Sequence, residues 1–534
     1  MRLKIPRNIL FLGGLLMCIV PKPNGEWSDC SGNWKAPEVL SVNYGDFETY
    51  CTDIYATRSG ITLQESAKEA SLQLVRDKTF AAEEYEIVIN SNIKITAATE
   101  KGVIWALATL FLGTKDNSHK CGRLHEQPKY AHRGFHLDSS RNFISVETIK
   151  SILDAAGLAK INVFHWHLTD DQGWRLESTQ YPLLTKDGPF YTKEEVRQVV
   201  SFAQKCGIDV IPEINVPGHT SAVLAAYPQL GCFNKEVPVQ TGAGIFPIIL
   251  CGGKDEALTF IKDILTETAE LFPGEFIHVG GDEAPKTEWE KCPHCAARMA
   301  ENDILDLNDL QGWLLSQTTE HLKKLGKRAI CWNDGFTKRN FADNVVIQQW
   351  KDEVSENLTL QHWQKGGEVI FSDVLYCYFD YSIAVISLKK VYNYFPKSQK
   401  TNCADAKNTR GIECCLWTEN FKTPEQLGKE LFPRLFAIAE RGWSNHSNYA
   451  NFEQNLITLL SYLDKNNVSY TSLANANPKG KARRQGIEEF LLRFFQVRAV
   501  SADGIKFRKN HIFKRVFKAC GLDAIPVILK LMKK

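Results

Sequence analysis

The sequence predicts an α/β protein in which a (β/α)8 TIM barrel follows a small α+β domain. From residue 132 onward, short apolar runs alternate with helical segments, and the alternation occurs eight times. Such alternation favours parallel strands joined by right-handed crossovers, and a closed barrel is the economical arrangement of eight units. An open doubly wound sheet is the alternative, but no Gly-x-Gly-x-x-Gly motif follows the first strand to support a dinucleotide site.

The barrel is predicted over residues 130–470, after a smaller domain at 27–128. Its strands are predicted at 134–138, 162–167, 209–214, 276–279, 328–332, 344–350, 368–371 and 411–417. Helical segments are predicted at 146–158, 193–205, 255–271 and 310–325. In the smaller domain, strand-like runs at 85–89 and 93–97 precede an amphipathic helix at 99–112.

The amino terminus resembles a targeting segment. Basic residues precede the apolar run at 9–20, which predicts a signal peptide over residues 1–22 and is too short for a comfortable membrane span. An uncleaved signal anchor is the alternative. The expected location is therefore secreted or lysosomal, or periplasmic if the host is bacterial. Sequons at Asn357, Asn445 and Asn467 would then carry glycans in a glycosylating host.

The cysteine content fits the same compartment. The chain has 15 cysteines, and an export signal with many cysteines predicts several disulfide bonds. Cys292-Pro-His-Cys295 is interpreted as a local disulfide. A redox dithiol and half of a zinc site are the alternatives, although no second Cys-x-x-Cys occurs.

Charge is distributed unevenly along the chain. The net charge is only +2, which gives no indication of a nucleic-acid partner. Residues 475–534, however, hold 15 Lys and Arg against 4 Asp and Glu. This basic extension of unknown role could be an interaction arm, a membrane-surface helix, or a solvated or packed extension. No stable membrane span is expected, because no other stretch is long and apolar enough.

Carboxylates and tryptophans follow the predicted strands, and the carboxyl ends of the strands are where barrel active sites form. These strand-end residues include Asp138, Arg141, Asp170, His219, Asp282, Glu283, Trp332, Asp334, Trp350, Tyr378, Asp380, Trp417 and Glu419. Tryptophan faces stack on the C–H faces of sugars, while carboxylates bind hydroxyl groups and protonate a glycosidic oxygen. Any single tryptophan could instead belong to the core.

Asp282-Glu283 is the sharpest feature of the rim. The two carboxylates follow Gly280-Gly281 at the end of strand four and must share a small volume. Mutual repulsion should raise the pKa of one of them, as a general acid requires. A calcium site or a solvated pair is the alternative.

A metal site is the competing chemistry. His165 and His167 lie on one face of strand two, and with Asp170, His219 and Asp282 they could form a metal-dependent amidohydrolase. Strands five to eight offer no histidine to complete such a site.

The motifs together resemble glycoside hydrolase family 20, the β-N-acetylhexosaminidases. The resemblance spans about residues 27–465 and rests on five segments. These are Arg133-Gly134, His165-Trp-His-Leu-Thr-Asp-Asp171, Pro217-Gly-His219, His278-Val-Gly-Gly-Asp-Glu283 and Trp417-Thr-Glu419. It implies hydrolysis of terminal β-linked N-acetylglucosamine or N-acetylgalactosamine from glycans, without a metal or an organic cofactor.

The resemblance also implies a role for each site residue. Glu283 would be the general acid and base, and Asp282 would orient the 2-acetamido group that attacks the anomeric carbon. Tyr378 would bond the acetamido oxygen. Sugar hydroxyls would be held by Arg133, Asp380 and Glu419, the pocket would be walled by Trp332, Trp350 and Trp417, and Asp170 and His219 would support it. Proteins similar to this one are commonly homodimers, and the sequence leaves the oligomeric state open.

The chain departs from the family pattern at several positions. Asn215 stands where aspartate is usual, Asn142 stands where histidine is common, and the loop at 184–189 looks short. Because asparagine cannot stabilise a histidinium at His219, the sequence predicts a weakened or pH-shifted enzyme that Asn215→Asp would improve. A catalytically impaired sugar-binding protein is therefore the main alternative, ahead of the amidohydrolase.

Overall fold

The computed structural model describes residues 19–66, 70–337, 344–351, 356–397, 402–403 and 406–498. Residues 1–18 of the predicted signal peptide and residues 499–534 of the basic extension lie outside the described residues. Ile19 and Val20, which fall within the predicted signal peptide, are buried in the main core. None of the described helices combines the length and apolarity needed to cross a bilayer.

The amino-terminal domain is a seven-stranded sheet with the strand order β1-β7-β5-β6-β4-β2-β3. Its strands are β1 (Ser28–Lys35), β2 (Val39–Asn43), β3 (Thr62–Glu65), β4 (Leu72–Arg76), β5 (Tyr85–Ile89), β6 (Ile93–Ala97) and β7 (Ser118–Glu126), and its helices are α1 (Asp53–Ser59) and α2 (Glu100–Gly113). Alternate residues of β5 (Tyr85, Ile87 and Ile89) are buried, which is the period-two pattern of a half-buried strand. The strands predicted at 85–89 and 93–97 are confirmed.

The second domain is a closed parallel barrel, as predicted, with the strand order β12-β13-β14-β15-β16-β17-β8-β9. The barrel strands are β8 (His132–Asp138), β9 (Val163–His167), β12 (Asp209–Glu213), β13 (Phe276–His278), β14 (Arg328–Trp332), β15 (Val346–Gln349), β16 (Val369–Phe371) and β17 (Thr409–Leu416). Two short strands outside it, β10 (Thr169–Asp170) and β11 (Gly173–Trp174), form an antiparallel pair.

Helices surround the barrel and follow its strands. They are α3 (Val146–Leu158), α4 (Lys193–Lys205), α5 (Ser221–Ala226), α6 (Asp255–Leu271), α7 (Pro293–Glu301), α8 (Leu307–Lys324), α9 (Glu356–Gln364), α10 (Leu388–Tyr392), α11 (Pro424–Leu431), α12 (Arg434–Trp443), α13 (Tyr449–Lys465) and α14 (Gly480–Arg498). The predicted bounds of α3, α4 and α6 agree with the structure. Helix α4 begins with a capping box between Thr192 and Glu195, a local signal readable from sequence.

The barrel interior is layered. At the amino ends of the strands, one apolar side chain from each of six strands forms a closed cluster. These residues are Val163, Ile211, Phe276, Ile330, Val346 and Ile370. Two residues further along several strands lies a polar layer that includes His165, Glu213, His278 and Gln348, all buried. The interior therefore becomes polar toward the carboxyl ends, where the predicted site residues lie.

The basic extension begins as a packed helix. Ile487, Phe490 and Leu491 of α14 are buried in the main core, and the Phe490 ring lies 4.8 Å from the Tyr381 ring. This helix therefore covers the segment that follows Asp380.

No disulfide bond forms within the part of the chain that the structure describes. All 13 cysteines among the described residues are free thiols, including Cys292 and Cys295, so the prediction of a local disulfide between these two is wrong. Twelve of the 13 are buried, and several lie inside barrel strands, where they pack as small apolar side chains.

Candidate active site

A tight turn after β13 presents Asp282 and Glu283 at the rim. Gly280 and Gly281 have φ values of 66° and 93°, in the left-handed region that favours glycine. A Cβ atom at Gly280 would overlap the side-chain oxygen of Asn215. The two glycines therefore bring the backbone close to Asn215 and turn both carboxylates toward the axis of the barrel.

Asp282 is the inner carboxylate. Its Oδ1 accepts a hydrogen bond from Asn215 Nδ2 at 2.8 Å, and its Oδ2 lies 3.6 Å from His219 Nε2. Burial raises the pKa of Asp282 to about 7, with the nearby acids Asp334, Glu213 and Glu283 adding to the effect and His219 opposing it. The sequence expected carboxylate repulsion to be the main cause, but burial is larger.

Glu283 is the outer carboxylate. Its side chain is 24% exposed against 12% for Asp282, and its backbone is also left-handed, with φ of 47°. The Glu283 N–H donates to Asp334 Oδ2 at 3.0 Å, and Asp334 also accepts from Trp350 Nε1 and Lys351 Nζ, both at 2.9 Å. Asp334 thus fixes the backbone of Glu283 while leaving its carboxyl group open to the pocket.

His219 is held as a cation between acids. Its Nδ1 lies 3.2 Å from Asp170 and 3.3 Å from Asp171, while Nε2 faces Asp282 and Glu283 at 3.6 and 3.9 Å. Although burial lowers the pKa of His219, Asp170 and Asp282 raise it well above its usual value. Asp170 and Asp171 therefore stabilise the histidinium, a task that the sequence had assigned to residue 215.

Aromatic side chains form the walls of the pocket. The Trp350 and Tyr378 rings stack at 5.9 Å, Tyr378 lies 6.3 Å from Trp417, and Trp417 lies 6.2 Å from Trp332. Trp332 is almost fully buried, with its Nε1 donating to Glu213 at 2.9 Å. Four strand ends thus supply one continuous aromatic enclosure, in which Tyr378 joins the three tryptophans predicted as walls.

Asp380 and Glu419 complete the acidic side of the rim. Asp380 Oδ1 is buried and has no hydrogen-bond partner among the described residues. Burial and then Glu419 raise the pKa of Asp380 well above its usual value. A buried, unpartnered carboxylate oxygen is costly in a folded protein, and a hydroxyl donor from a ligand would satisfy it.

Arg133 does not belong to the pocket. It lies near the amino end of β8, is fully buried, and donates to the carbonyls of Lys160 and Tyr130 at 2.9 and 2.7 Å and to Glu83 of the amino-terminal domain. The prediction that Arg133 binds a sugar hydroxyl is therefore wrong, because this end of the strand faces away from the site. Arg133 instead joins the two domains.

The arginine at the rim is Arg141, which follows the carboxyl end of β8. Its Nη2 lies 2.9 Å from Asp170, and its guanidinium lies 5.0 Å above the Trp417 ring. The strand-end rule that identified the carboxylates also applies to this residue. Asp334, likewise at a strand end, was missed as the partner of the Glu283 backbone because backbone contacts leave no signal in sequence.

The arrangement of His165 and His167 does not favour the amidohydrolase interpretation. His167 Nδ1 bonds Glu213 at 2.5 Å and its Nε2 bonds Asp170 at 2.8 Å, so carboxylates occupy both ring nitrogens. Burial opposes protonation, but these acids raise the pKa of His167 to about 10. A protonated imidazole cannot bind a metal ion. His165 similarly bonds Glu413 at 2.8 Å.

A barrel whose carboxyl-end pocket combines stacked aromatic walls with a buried and an open carboxylate defines a site of the glycoside hydrolase class. Residues 130–446 match glycosyl hydrolase family 20, catalytic domain. The chain belongs to this family.

Relatives and solved structures agree with this assignment. The chain is 35% identical over 388 residues to a β-hexosaminidase of Porphyromonas gingivalis, an alignment that covers 67% of this chain and 49% of the relative. It therefore spans about half the length of that protein.

Two solved structures cover most of the chain. The β-N-acetylhexosaminidase of Bacteroides fragilis has a TM-score of 0.77 at 30% identity, covering 85% of this chain and 96% of that one. An exo-β-N-acetylglucosaminidase of Vibrio harveyi, in complex with N-acetylglucosamine, has a TM-score of 0.76 at 28% identity, covering 88% and 80%.

Proposed function

We propose that this chain is a β-N-acetylhexosaminidase that removes terminal non-reducing N-acetyl-D-hexosamine by a retaining, substrate-assisted mechanism. The proposal rests on one observation, which is that the two adjacent carboxylates have different surroundings. Asp282 is buried and held by Asn215, whereas Glu283 is open to the pocket. The buried Asp282 suits the acetamido group of the substrate, and the open Glu283 suits the departing glycosidic oxygen.

The proposed first step breaks the glycosidic bond. The carbonyl oxygen of the substrate's acetamido group attacks the anomeric carbon while Glu283 gives its proton to the departing oxygen. Asp282 accepts a hydrogen bond from the acetamido N–H and stabilises the positive charge of the resulting oxazolinium ion. Burial is the main cause that raises the pKa of Tyr378, and the nearby Cys415 and Asp282 side chains add to it. Tyr378 therefore lies close to Asp282. Its hydroxyl can donate to the acetamido oxygen.

The proposed second step restores the acid. Glu283, now a carboxylate, takes a proton from a water molecule whose oxygen attacks the anomeric carbon, and the acetamido oxygen leaves. Two displacements at one carbon retain its configuration. No carboxylate of the protein becomes bonded to the sugar, so the separation rule for paired catalytic carboxylates does not apply.

The test compares Glu283→Gln and Asp282→Asn with the matched surface control Glu290→Gln. Hydrolysis of an aryl N-acetyl-β-glucosaminide that needs acid assistance should fall by roughly 10²–10⁴-fold in Glu283→Gln, and much less with a leaving group that needs no proton. Asp282→Asn should lose activity with both leaving groups. A trifluoroacetamido substrate should react far more slowly, because its carbonyl is a poor nucleophile.

A wild-type enzyme indifferent to the acetamido substituent would contradict the mechanism. Saturable N-acetylglucosamine binding without hydrolysis would instead support the sugar-binding alternative. Nuclear magnetic resonance of the first product formed would report the anomer directly, and initial release of the α-anomer would exclude retention.

We also propose that the protein is exported and that it acts as a homodimer. The basic, then apolar, amino terminus supports export. Amino-terminal sequencing of protein from the culture medium, and light scattering of the purified chain, test the two proposals. A chain retained in the cytosol, or a monomer at all concentrations, would contradict them.

A further inference from the structure

Four cysteines from two loops of the barrel meet in one buried cluster. Cys232 follows α5, and Cys251 precedes α6 on the same connection. Cys292 caps the amino end of α7, and Cys295 lies in its first turn. Their sulfur atoms all lie within 4.8 Å of one another, and all four side chains are buried. The active site uses none of them.

The distances between the sulfurs have the size expected for a metal tetrahedron. Cys251 Sγ lies 3.7 Å from the sulfurs of both Cys292 and Cys295, and Cys232 Sγ lies 4.0 Å from that of Cys295. Four sulfurs at about 2.3 Å from a zinc ion lie about 3.8 Å apart along the edges of the tetrahedron. A disulfide requires about 2.05 Å. Each cysteine also has more than one sulfur neighbour, which pairwise bonding does not explain.

The surrounding backbone suits thiolate ligands. The backbone N–H groups of Gly253 and Lys254 face the sulfur of Cys251. Gly253 packs so closely on the backbone of His294 and Cys295 that a Cβ atom would overlap it. Two loop segments therefore press their backbones together around the sulfurs, and amide donors face one of them, as in structural sites that bind zinc through four thiolates.

We propose that Cys232, Cys251, Cys292 and Cys295 bind one structural zinc ion. Four S–H bonds are replaced by four Zn–S bonds, and the four protons pass to solvent, with no change of oxidation state. Soft sulfur ligands in tetrahedral array, with no open position for water, select zinc for a structural rather than a catalytic role.

The zinc ion would brace the loops that carry the active site. The N–H of Leu250, beside Cys251, donates to the carbonyl of Pro217 at 3.1 Å, two residues before His219. Trp289 Nε1 donates to the carbonyl of Leu250 at 2.9 Å and lies on the loop that begins with Asp282 and Glu283. The site thus joins the third and fourth strand–helix loops without touching the pocket.

The experiment measures metal by elemental mass spectrometry on the full-length protein, purified without chelators from cells supplied with zinc. About one zinc per chain is expected. The double variant Cys292→Ser/Cys295→Ser should lose nearly all of it. Cys206→Ser should keep it, because Cys206 is a buried cysteine at the carboxyl end of α4 that packs on Gly157 of α3. Cys295→His, which preserves a ligand, should keep most of it even if the double variant folds poorly.

Substitution with cobalt gives an independent readout, because a tetrahedral four-thiolate cobalt site has intense visible bands together with sulfur-to-metal charge transfer. Protein with no metal, with iron in place of zinc, or with two disulfides in the intact mass would overturn the proposal. Metal content does not depend on hydrolysis, so failure of this proposal and failure of the proposed function are distinguishable.

Discussion

Asn215→Asp tests how the site keeps Asp282 ionised. The backbone N–H of Gly281 donates to Asn215 Oδ1 at 3.2 Å, and a backbone N–H can only donate. The orientation of the amide is therefore fixed, and its NH2 group must face Asp282. The sequence suggested that aspartate here would improve the enzyme by supporting His219. In the structure, residue 215 contacts the catalytic carboxylate instead.

The size of the expected shift in the Asp282 pKa follows from the 2.8 Å hydrogen bond between Asn215 and Asp282. Two carboxylates at that distance would repel by about 6 kcal/mol at an effective dielectric constant of about 20, so the pair would hold a proton instead. The lost hydrogen bond to a charged group is worth about 1.5–3 kcal/mol, which corresponds to about one to two pH units. Because burial already raises the Asp282 pKa to about 7, Asn215→Asp should raise it further.

The assay is the pH dependence of kcat/KM on an aryl N-acetyl-β-glucosaminide. If Asp282 must be anionic, the acidic limb should move upward by at least about one pH unit, with about 10–100-fold lower kcat/KM on that limb. Asn215→Ala is the matched control: it removes the donor without adding a carboxyl group and should shift the limb less. An Asn215→Asp enzyme as active as wild type below pH 7 would refute this reasoning.

Three further predictions follow from the site and its supports. Arg133→Met should lower the free energy of unfolding by about 3 kcal/mol, because it removes the ion-pair partner of the largely buried Glu83 carboxylate, with little change in KM. Burial alone would raise the Glu83 pKa, but Arg133 lowers it overall. The stabilisation that the ion pair gives is therefore present above the unfolded pKa of about 4.3 and is lost as the pH falls through the folded pKa. Denaturation should show a larger loss of stability in the variant at pH 7 than at pH 4. Gly280→Ala should destabilise the protein through the overlap with Asn215, and a thermal midpoint equal to that of wild type would contradict that packing. Trp350→Phe keeps a ring but removes the Nε1 donor to Asp334, so kcat should fall while sugar affinity changes little; a loss confined to KM would show that Trp350 acts as a wall alone.

The barrel was predictable because its signals are local. Helix α4 carries a capping box, and β9 and β13 end in the polar residues that mark the carboxyl rim. Placing Asp282, Glu283 and Trp332 at one end of the barrel needed only the rule that parallel strands expose their carboxyl ends together. Arg133 was misplaced because its motif lies at the amino end of its strand, whereas Arg141 lies just beyond the carboxyl end, where the same rule places it.

Contacts between distant loops could not be predicted in the same way. The Cys-x-x-Cys spacing of Cys292 and Cys295 marks them as a candidate pair of ligands in the sequence. Cys232 and Cys251 lie 60 and 41 positions before Cys292 and belong to a different strand–helix loop. Contacts between the two loops, such as the packing of Gly253 against the start of α7 and the hydrogen bond from Trp289 to Leu250, bring the two pairs together. A four-cysteine cluster is therefore a property of the folded loops, and a spacing rule finds half of it.

Contacts that only the folded structure reveals also change the interpretation of Asn215. As a departure from a family pattern, it suggested an impaired, sugar-binding protein. In its surroundings, it donates to a buried carboxylate whose pKa is already raised to about 7, while Asp170 and Asp171 hold the histidinium of His219. A neutral donor favours the anion that the proposed oxazolinium step requires, and a second acid would oppose it. The residue that suggested the inactive alternative therefore favours the proposed hydrolysis over that alternative.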